Sequence, residues 1–80
     1  MTQVEVFNKI KEMIVDALGV DEEKVTMEAS FKEDLGADSL DAVELIMSVE
    51  EEFDVEVDEE FSQNLKVVSD IVNYIVDKTK

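Results

Sequence analysis

Three runs of apolar residues at helical spacing constrain this chain more than any other feature, because each leaves one apolar face that must be buried. From Val4 to Leu18, the residues Val6, Phe7, Ile10, Met13, Ile14, Ala17 and Leu18 fall on one side of a wheel turning about 100° per residue. Glu5, Asn8, Lys9, Glu12 and Asp16 cover the other side, and Gly19 stands where a left-handed cap is expected. From Ser39 to Phe53 the buried stripe is Ala42, Leu45, Ile46, Val49 and Phe53. From Val67 to Lys78 it is Val68, Ile71, Val72 and Ile75, with Tyr74 at the edge, a half-buried ring whose hydroxyl is expected in water. The chain therefore reads as all-α. Its 80 residues suit one domain, 1–80, with a core of marginal size.

The connections are as informative as the helices. Residues 19–37 show no sustained period but carry apolar anchors at Val20, Val25, Met27, Phe31 and Leu35, which predicts a long loop packed down on the helices. Ser30 and Glu33 have capping-box spacing, so a short helical turn is expected there, and Gly36 is read as a turn residue ahead of Ser39. Asp54 to Val57 reads as an extended link into a short third helix, with Asp58 as its cap, Glu59 and Glu60 in its first turn, and Phe61 and Leu65 turned inward. Lys66 and Val67 offer the last helix no side-chain cap, so its start is expected to fray. The predicted architecture is a four-helix bundle with a short third helix and a long loop between helices one and two.

Charge and missing residue types exclude several functions. With 7 lysines against 22 acids the formal net charge is −15, which repels nucleic acid and anionic membranes and attracts a partner with a basic patch. Residues 33–65 hold 13 of the 22 acids and no lysine, which marks that third as the contact surface. No cysteine is present, so any thiol chemistry has to arrive on a cofactor. No histidine is present either, and the carboxylates lack an arginine clamp or oxyanion-donor motif, so a non-catalytic role is expected. A calcium-sensing EF-hand needs a glycine inside its acidic loop, and neither glycine sits in one; no specific metal site is expected. No apolar run approaches a membrane span, and the first residues lack the basic-then-apolar order of a signal peptide, so a cytoplasmic monomer is expected.

The junction Gly36-Ala37-Asp38-Ser39-Leu40-Asp41 sets one hydroxyl at the start of the acidic second helix. Asp38 suits the cap, and the first turn favours Asp41 and would also favour a phosphate. On these residues alone, Ser39 is either an ordinary first-turn residue or a hydroxyl presented for modification. Opposite the buried stripe of the same helix lie Leu40 and Met47, flanked by Glu44 and Glu51 and bordered by Val43 and Glu50. Apolar residues facing water among acids predict a docking strip, in which Leu40, Val43 and Met47 supply contact while Asp38, Asp41, Glu44, Glu50 and Glu51 steer a basic partner.

The run from Phe31 to Leu40, with Glu44-Leu45 and Glu50-Glu51-Glu52-Phe53 beyond it, closely resembles the acyl carrier protein family, most strongly over residues 30–57. The resemblance implies that Ser39, framed by Asp38 and Leu40, carries a 4′-phosphopantetheine arm taken from coenzyme A by a phosphopantetheinyl transferase. It implies that acyl chains ride on the arm as thioesters and shelter among Leu45, Ile46, Val49, Val57, Phe61, Leu65 and Ile71. It implies that the second helix faces partner enzymes with basic docking patches. The Asp34–Leu40 string and the Glu-Glu-Glu-Phe ending look most like the fatty-acid-synthesis branch. Carriers for polyketide, nonribosomal-peptide or D-alanylation systems use the same serine. From another class, an acidic interaction domain without an arm is the alternative. Many relatives have proline where Asp58 stands and begin the last helix with threonine.

Overall fold

A computed structural model describes residues 2–79, and among them the chain forms four α-helices: α1 (Gln3–Leu18), α2 (Ser39–Phe53), α3 (Glu59–Asn64) and α4 (Val68–Lys78). A 3-10 turn, Glu22–Lys24, interrupts the long loop. The all-α bundle with a short third helix and a long first loop is therefore what the sequence folds into. Helix α1 packs against both α4 and α2, and α3 rests on α2.

Each helix begins and ends for a local chemical reason. At the start of α1 the Thr2 hydroxyl accepts the Glu5 N–H at 3.2 Å, and the Glu5 carboxylate accepts the Thr2 N–H at 3.1 Å. The Thr2 backbone N–H, and after it the Thr2 hydroxyl, hold the Glu5 carboxyl below the ordinary glutamate value. Gly19 ends α1 at φ 66°, its N–H on the Val15 carbonyl. The inner face of α1 is Val6, Ile10 and Ile14, all buried. Ala17 shares that side of the wheel yet is exposed; the last turn meets the core through Leu18 instead. Val68, Ile71, Val72 and Ile75 of α4 are buried without remainder. No polar or charged residue is buried among those described, so the interior of the bundle is apolar.

The long loop is a structural element. Val25, Phe31 and Leu35 are buried, as are Ala29 and Ala37, too small to signal themselves in the sequence. The loop's backbone pairs with the start of α4: Phe31 N–H to Lys66 O at 3.0 Å, Val68 N–H to Ala29 O at 3.0 Å, and Ser69 N–H to Met27 O at 2.9 Å. Ser30 and Val67 face each other in an antiparallel bridge. The Asp70 carboxylate accepts the N–H groups of Lys66 and Val67, each at 3.2 Å. The expected fraying of this end is thus corrected: the capping acceptor lies three residues inside the helix, and the loop supplies further partners. Ser30 does accept the Glu33 N–H at 3.1 Å, but Asp34, not Glu33, returns the bond to the Ser30 N–H at 2.7 Å.

Asp70→Ala is expected to cost about 1–2 kcal/mol, since two backbone donors lose their acceptor together. Asp70→Asn retains an acceptor oxygen and should recover most of that loss. Thermal melts of the pair, read beside amide exchange at Val67 and Val68, check this; equal melting of Asp70→Ala and the parent would contradict it.

Helix α2 ends at Asp54, held left-handed at φ 54°, with the N–H groups of Asp54 and Val55 both on the Glu50 carbonyl. Helix α3 starts at Asp58, but the Asp58 side chain makes no capping bond, contrary to expectation. The turn is closed by the Ser62 N–H and hydroxyl, which donate to the Asp58 carbonyl at 3.0 and 3.3 Å. Tyr74 is half-buried as expected, but its hydroxyl also has a partner within the protein. Its hydroxyl accepts the Asp58 N–H at 3.3 Å, its ring stacks on Phe61 at 4.2 Å, and the Lys78 ammonium stands 5.4 Å from the ring centre. No periodicity reports such a contact, because residues 58 and 74 meet only when α3 folds back beside α4.

Charge works against this small core. The longest dimension is 29 Å, close to the Debye length of about 30 Å at ~10 mM salt, so at low salt each acid feels nearly every other. Lys9 pairs with Glu52 at 4.0 Å, but an exposed pair of this kind offsets about 1 kcal/mol at most. The melting temperature is expected to rise from ~10 mM to ~1 M sodium chloride, where the screening length shrinks to about 3 Å. Each 1 kcal/mol of repulsion relieved is worth about 4–8 °C in a domain of this size. A melting temperature independent of ionic strength would overturn this account.

Candidate functional site

The local sequence builds the α2 entrance with little help from elsewhere. Gly36 adopts φ 67°, and a Cβ added there would meet nothing within 4 Å, so the glycine serves the turn conformation rather than a close approach. Ala37 is buried, its N–H on the Phe31 carbonyl at 2.7 Å, which fixes where the chain leaves the loop. Asp38 then caps α2 in a reciprocal box: its carboxylate accepts the Asp41 N–H at 2.9 Å, and that of Asp41 accepts the Asp38 N–H at 3.3 Å. Ser39 occupies the first helical position and is exposed.

Among the described residues no acceptor is found for the N–H groups of Ser39 and Leu40, as is usual in a first helical turn. The Ser39 hydroxyl likewise has no hydrogen-bond partner there. The residues therefore fit a phosphodiester on Ser39: the hydroxyl is free and reachable, unpaired N–H donors and the positive helix end lie beside it, and no side chain covers it.

The outward strip of α2 is present as expected. Leu40 is 66% exposed, Val43 48% and Met47 59%. Of the five acids assigned to steering, Asp38, Glu44 and Glu51 are exposed. Asp41 and Glu50 are half-buried and already engaged, Asp41 in the capping box and Glu50 through its carboxylate on the Val57 N–H at 2.9 Å. The wheel places Glu50 on the border of the strip but does not reveal that the link to α3 turns a donor toward it.

The inner set is split by α3. Leu45, Ile46, Val49 and Ile71 are buried, whereas Val57, Phe61 and Leu65 are half-buried and packed against the core from outside. Ile46 is buried but lies outside the contiguous core cluster. Two surface clefts, one lined by Lys24, Thr26, Glu28 and Asp34 and the other by Asn8, Lys11, Glu12 and Asp16, contain none of these seven residues. Among the described residues no group of acids is placed to hold a metal ion, and no helix is long and apolar enough to cross a membrane.

The model of the phosphopantetheine attachment site family matches residues 8–75, from the middle of α1 to the last turns of α4. Domains of this family are carriers that work with acyl chains and partner enzymes through a covalently attached 4′-phosphopantetheine. With that match spanning most of its length, and with an exposed serine opening an acidic helix, the chain belongs to the phosphopantetheine attachment site family and is a phosphopantetheine carrier.

Proposed function

We propose that Ser39 is the attachment residue, that the domain spans residues 1–80, and that it serves fatty acid synthesis. The observation that carries the attachment reading is the exposed Ser39 hydroxyl at the start of α2, beside the apolar strip of Leu40, Val43 and Met47. The other serines suit the task less well. Ser30 accepts the Glu33 N–H, Ser62 donates to the Asp58 carbonyl, Ser69 is half-buried, and Ser48 sits in mid-helix without free N–H groups.

When bound, the arm supplies a terminal thiol on which an acyl group is held as a thioester. The chain's own residues do the rest. Ser39 is a substrate, activated by a base of the transferase rather than of this chain. Asp38 and Asp41 hold the first turn in place. Leu40, Val43 and Met47 lose water against a partner, and Asp38, Glu44 and Glu51 select a basic one. An acyl chain finds apolar surface among Leu45, Ile46, Val49, Val57, Phe61, Leu65 and Ile71 if α3 moves aside. That motion gives up the Phe61–Tyr74 stack and the Asp58–Tyr74 bond but uncovers no fully buried residue of α3, which is only six residues long. The fatty-acid assignment rests on the Asp34–Leu40 string and the Glu50–Phe53 ending.

The test is an intact mass after incubation with coenzyme A and a broad-specificity phosphopantetheinyl transferase. One added phosphopantetheine, mapped to the peptide holding Ser39, is expected. No gain on folded protein, with a transferase active on a control carrier, would overturn the site. The loaded protein should then accept labelled malonyl groups from the fatty-acid transacylase. Failure of that second step alone would sink the pathway and leave the carrier.

A further inference from the structure

The docking strip contains the one methionine among the described residues whose side chain faces water. Met13 and Met27 are half-buried and packed against the core, whereas Met47 is 59% exposed between the α2 positions of Leu40 and Val43 on one side and Glu50 and Glu51 on the other. The chain has no cysteine, so the protein offers no thiol to draw off an oxidant. Met47 also supports nothing inside the molecule, since it belongs neither to the core nor to the residues packed against it.

We propose that Met47 is a redox-sensitive modification site: its oxidation to the sulfoxide weakens partner docking while leaving the fold intact. The proposal rests on the reading of Leu40, Val43 and Met47 as the docking strip. The co-reactant is a hydroperoxide. A lone pair of the Met47 sulfur attacks one peroxide oxygen; an S–O bond forms as the O–O bond breaks. The sulfur gives up two electrons and the hydroperoxide leaves as an alcohol, or as water from hydrogen peroxide, with no net proton taken from the protein. The product carries a polar S–O group where a thioether had lost water against the partner, and desolvating it without a new hydrogen bond weakens docking. Reduction by a thiol-dependent sulfoxide reductase restores the thioether, so the change is reversible.

The consequence is specific to position. Oxidising Met13 or Met27 would put a polar group against the core and loosen the bundle. Oxidising Met47 alters only the outer face of α2, eight residues and about 12 Å along the helix from Ser39.

The experiment treats the full-length chain with hydrogen peroxide, first without the arm, so that no cofactor thiol competes, and then in its acylated form. Peptide mapping follows Met47, Met13, Met27 and Met1 separately. Met47 is expected to oxidise well before Met13 and Met27; equal rates for the three would overturn the proposal. The KM of a phosphopantetheinyl transferase for the oxidised chain is expected to rise about tenfold, equivalent to about 1.4 kcal/mol, with kcat and melting temperature little changed. Met47→Gln, which mimics the polar product, should raise KM without peroxide. Met47→Leu should have the same KM before and after peroxide, whatever its starting value. If Met47→Gln raises KM but oxidation of the parent does not, the redox proposal fails and the docking strip stands. If neither Met47→Gln nor Leu40→Gln moves KM, the docking reading fails and the proposal goes with it. Loss of helix content on oxidation of Met47 alone would also refute it.

Discussion

Ser39→Ala is expected to take up no phosphopantetheine at all while melting within a few degrees of the parent. The two halves of this result have separate causes. Uptake requires a hydroxyl oxygen at that position, and alanine has none. Stability hardly changes because Ser39 is exposed, its hydroxyl has no partner among the described residues, and alanine is the best helix former. Such substitutions stay within about 0.5 kcal/mol. Asp38→Ala is the informative contrast. It keeps the hydroxyl but removes the carboxylate that accepts the Asp41 N–H, leaving only the bond from the Asp38 N–H to the Asp41 carboxylate, for a cost of about 1 kcal/mol, so loading should slow rather than vanish. Ser48→Ala, on the same helix, should load as the parent does. Intact mass spectrometry after transferase treatment reads all three, and any phosphopantetheine on Ser39→Ala would move the attachment site elsewhere.

Ile71→Ala is expected to have the largest effect on the fold. Ile71 is 0% exposed in a core with no buried polar or charged residue among those described. Truncating it removes transfer free energy and leaves a cavity, together about 2–5 kcal/mol. A chain of 80 residues has roughly 4–12 kcal/mol in total, and like-charge repulsion lowers that reserve. The melting temperature should therefore fall by at least about 8 °C. At low salt a large fraction should be unfolded, with part of the loss recovered at high salt. Leu40→Ala, at 66% exposure, should change stability by no more than about 0.5 kcal/mol and affect docking instead. Circular dichroism melts at two ionic strengths separate these outcomes; a drop for Ile71→Ala as small as that for Leu40→Ala would refute the packing account.

The helices and the site were legible to different degrees. The bounds of α2 were readable at both ends, since Asp38 supplies a cap from its own side chain and Phe53 completes the apolar stripe. The exposure of Leu40 and Met47 was readable as well, because their wheel positions oppose Leu45 and Val49. Ser30 was read half correctly. Capping-box spacing identifies an acceptor for the Glu33 N–H, but whether Glu33 or Asp34 answers depends on how the turn is wound. Tyr74 and Glu50 were misplaced in part, because their hydrogen-bond donors belong to the α2–α3 link and no local pattern says where that link runs.

By itself, the sequence determined whatever repeats within a few residues: three amphipathic helices, their inner faces, the cap at Asp38, the glycine turns and the acidic helix that presents Ser39. Those features follow from interactions at spacings of three and four, which the chain carries wherever it goes. Only the tertiary structure decided that the long loop pairs its backbone with the start of α4, that Asp70 and the loop together replace a missing cap, and that Glu50 and Tyr74 hold the consecutive N–H groups of Val57 and Asp58. Backbone N–H and C=O groups are the same at every residue. Which of them meet across the molecule is set by how the buried faces stack, and not by the letters that carry them.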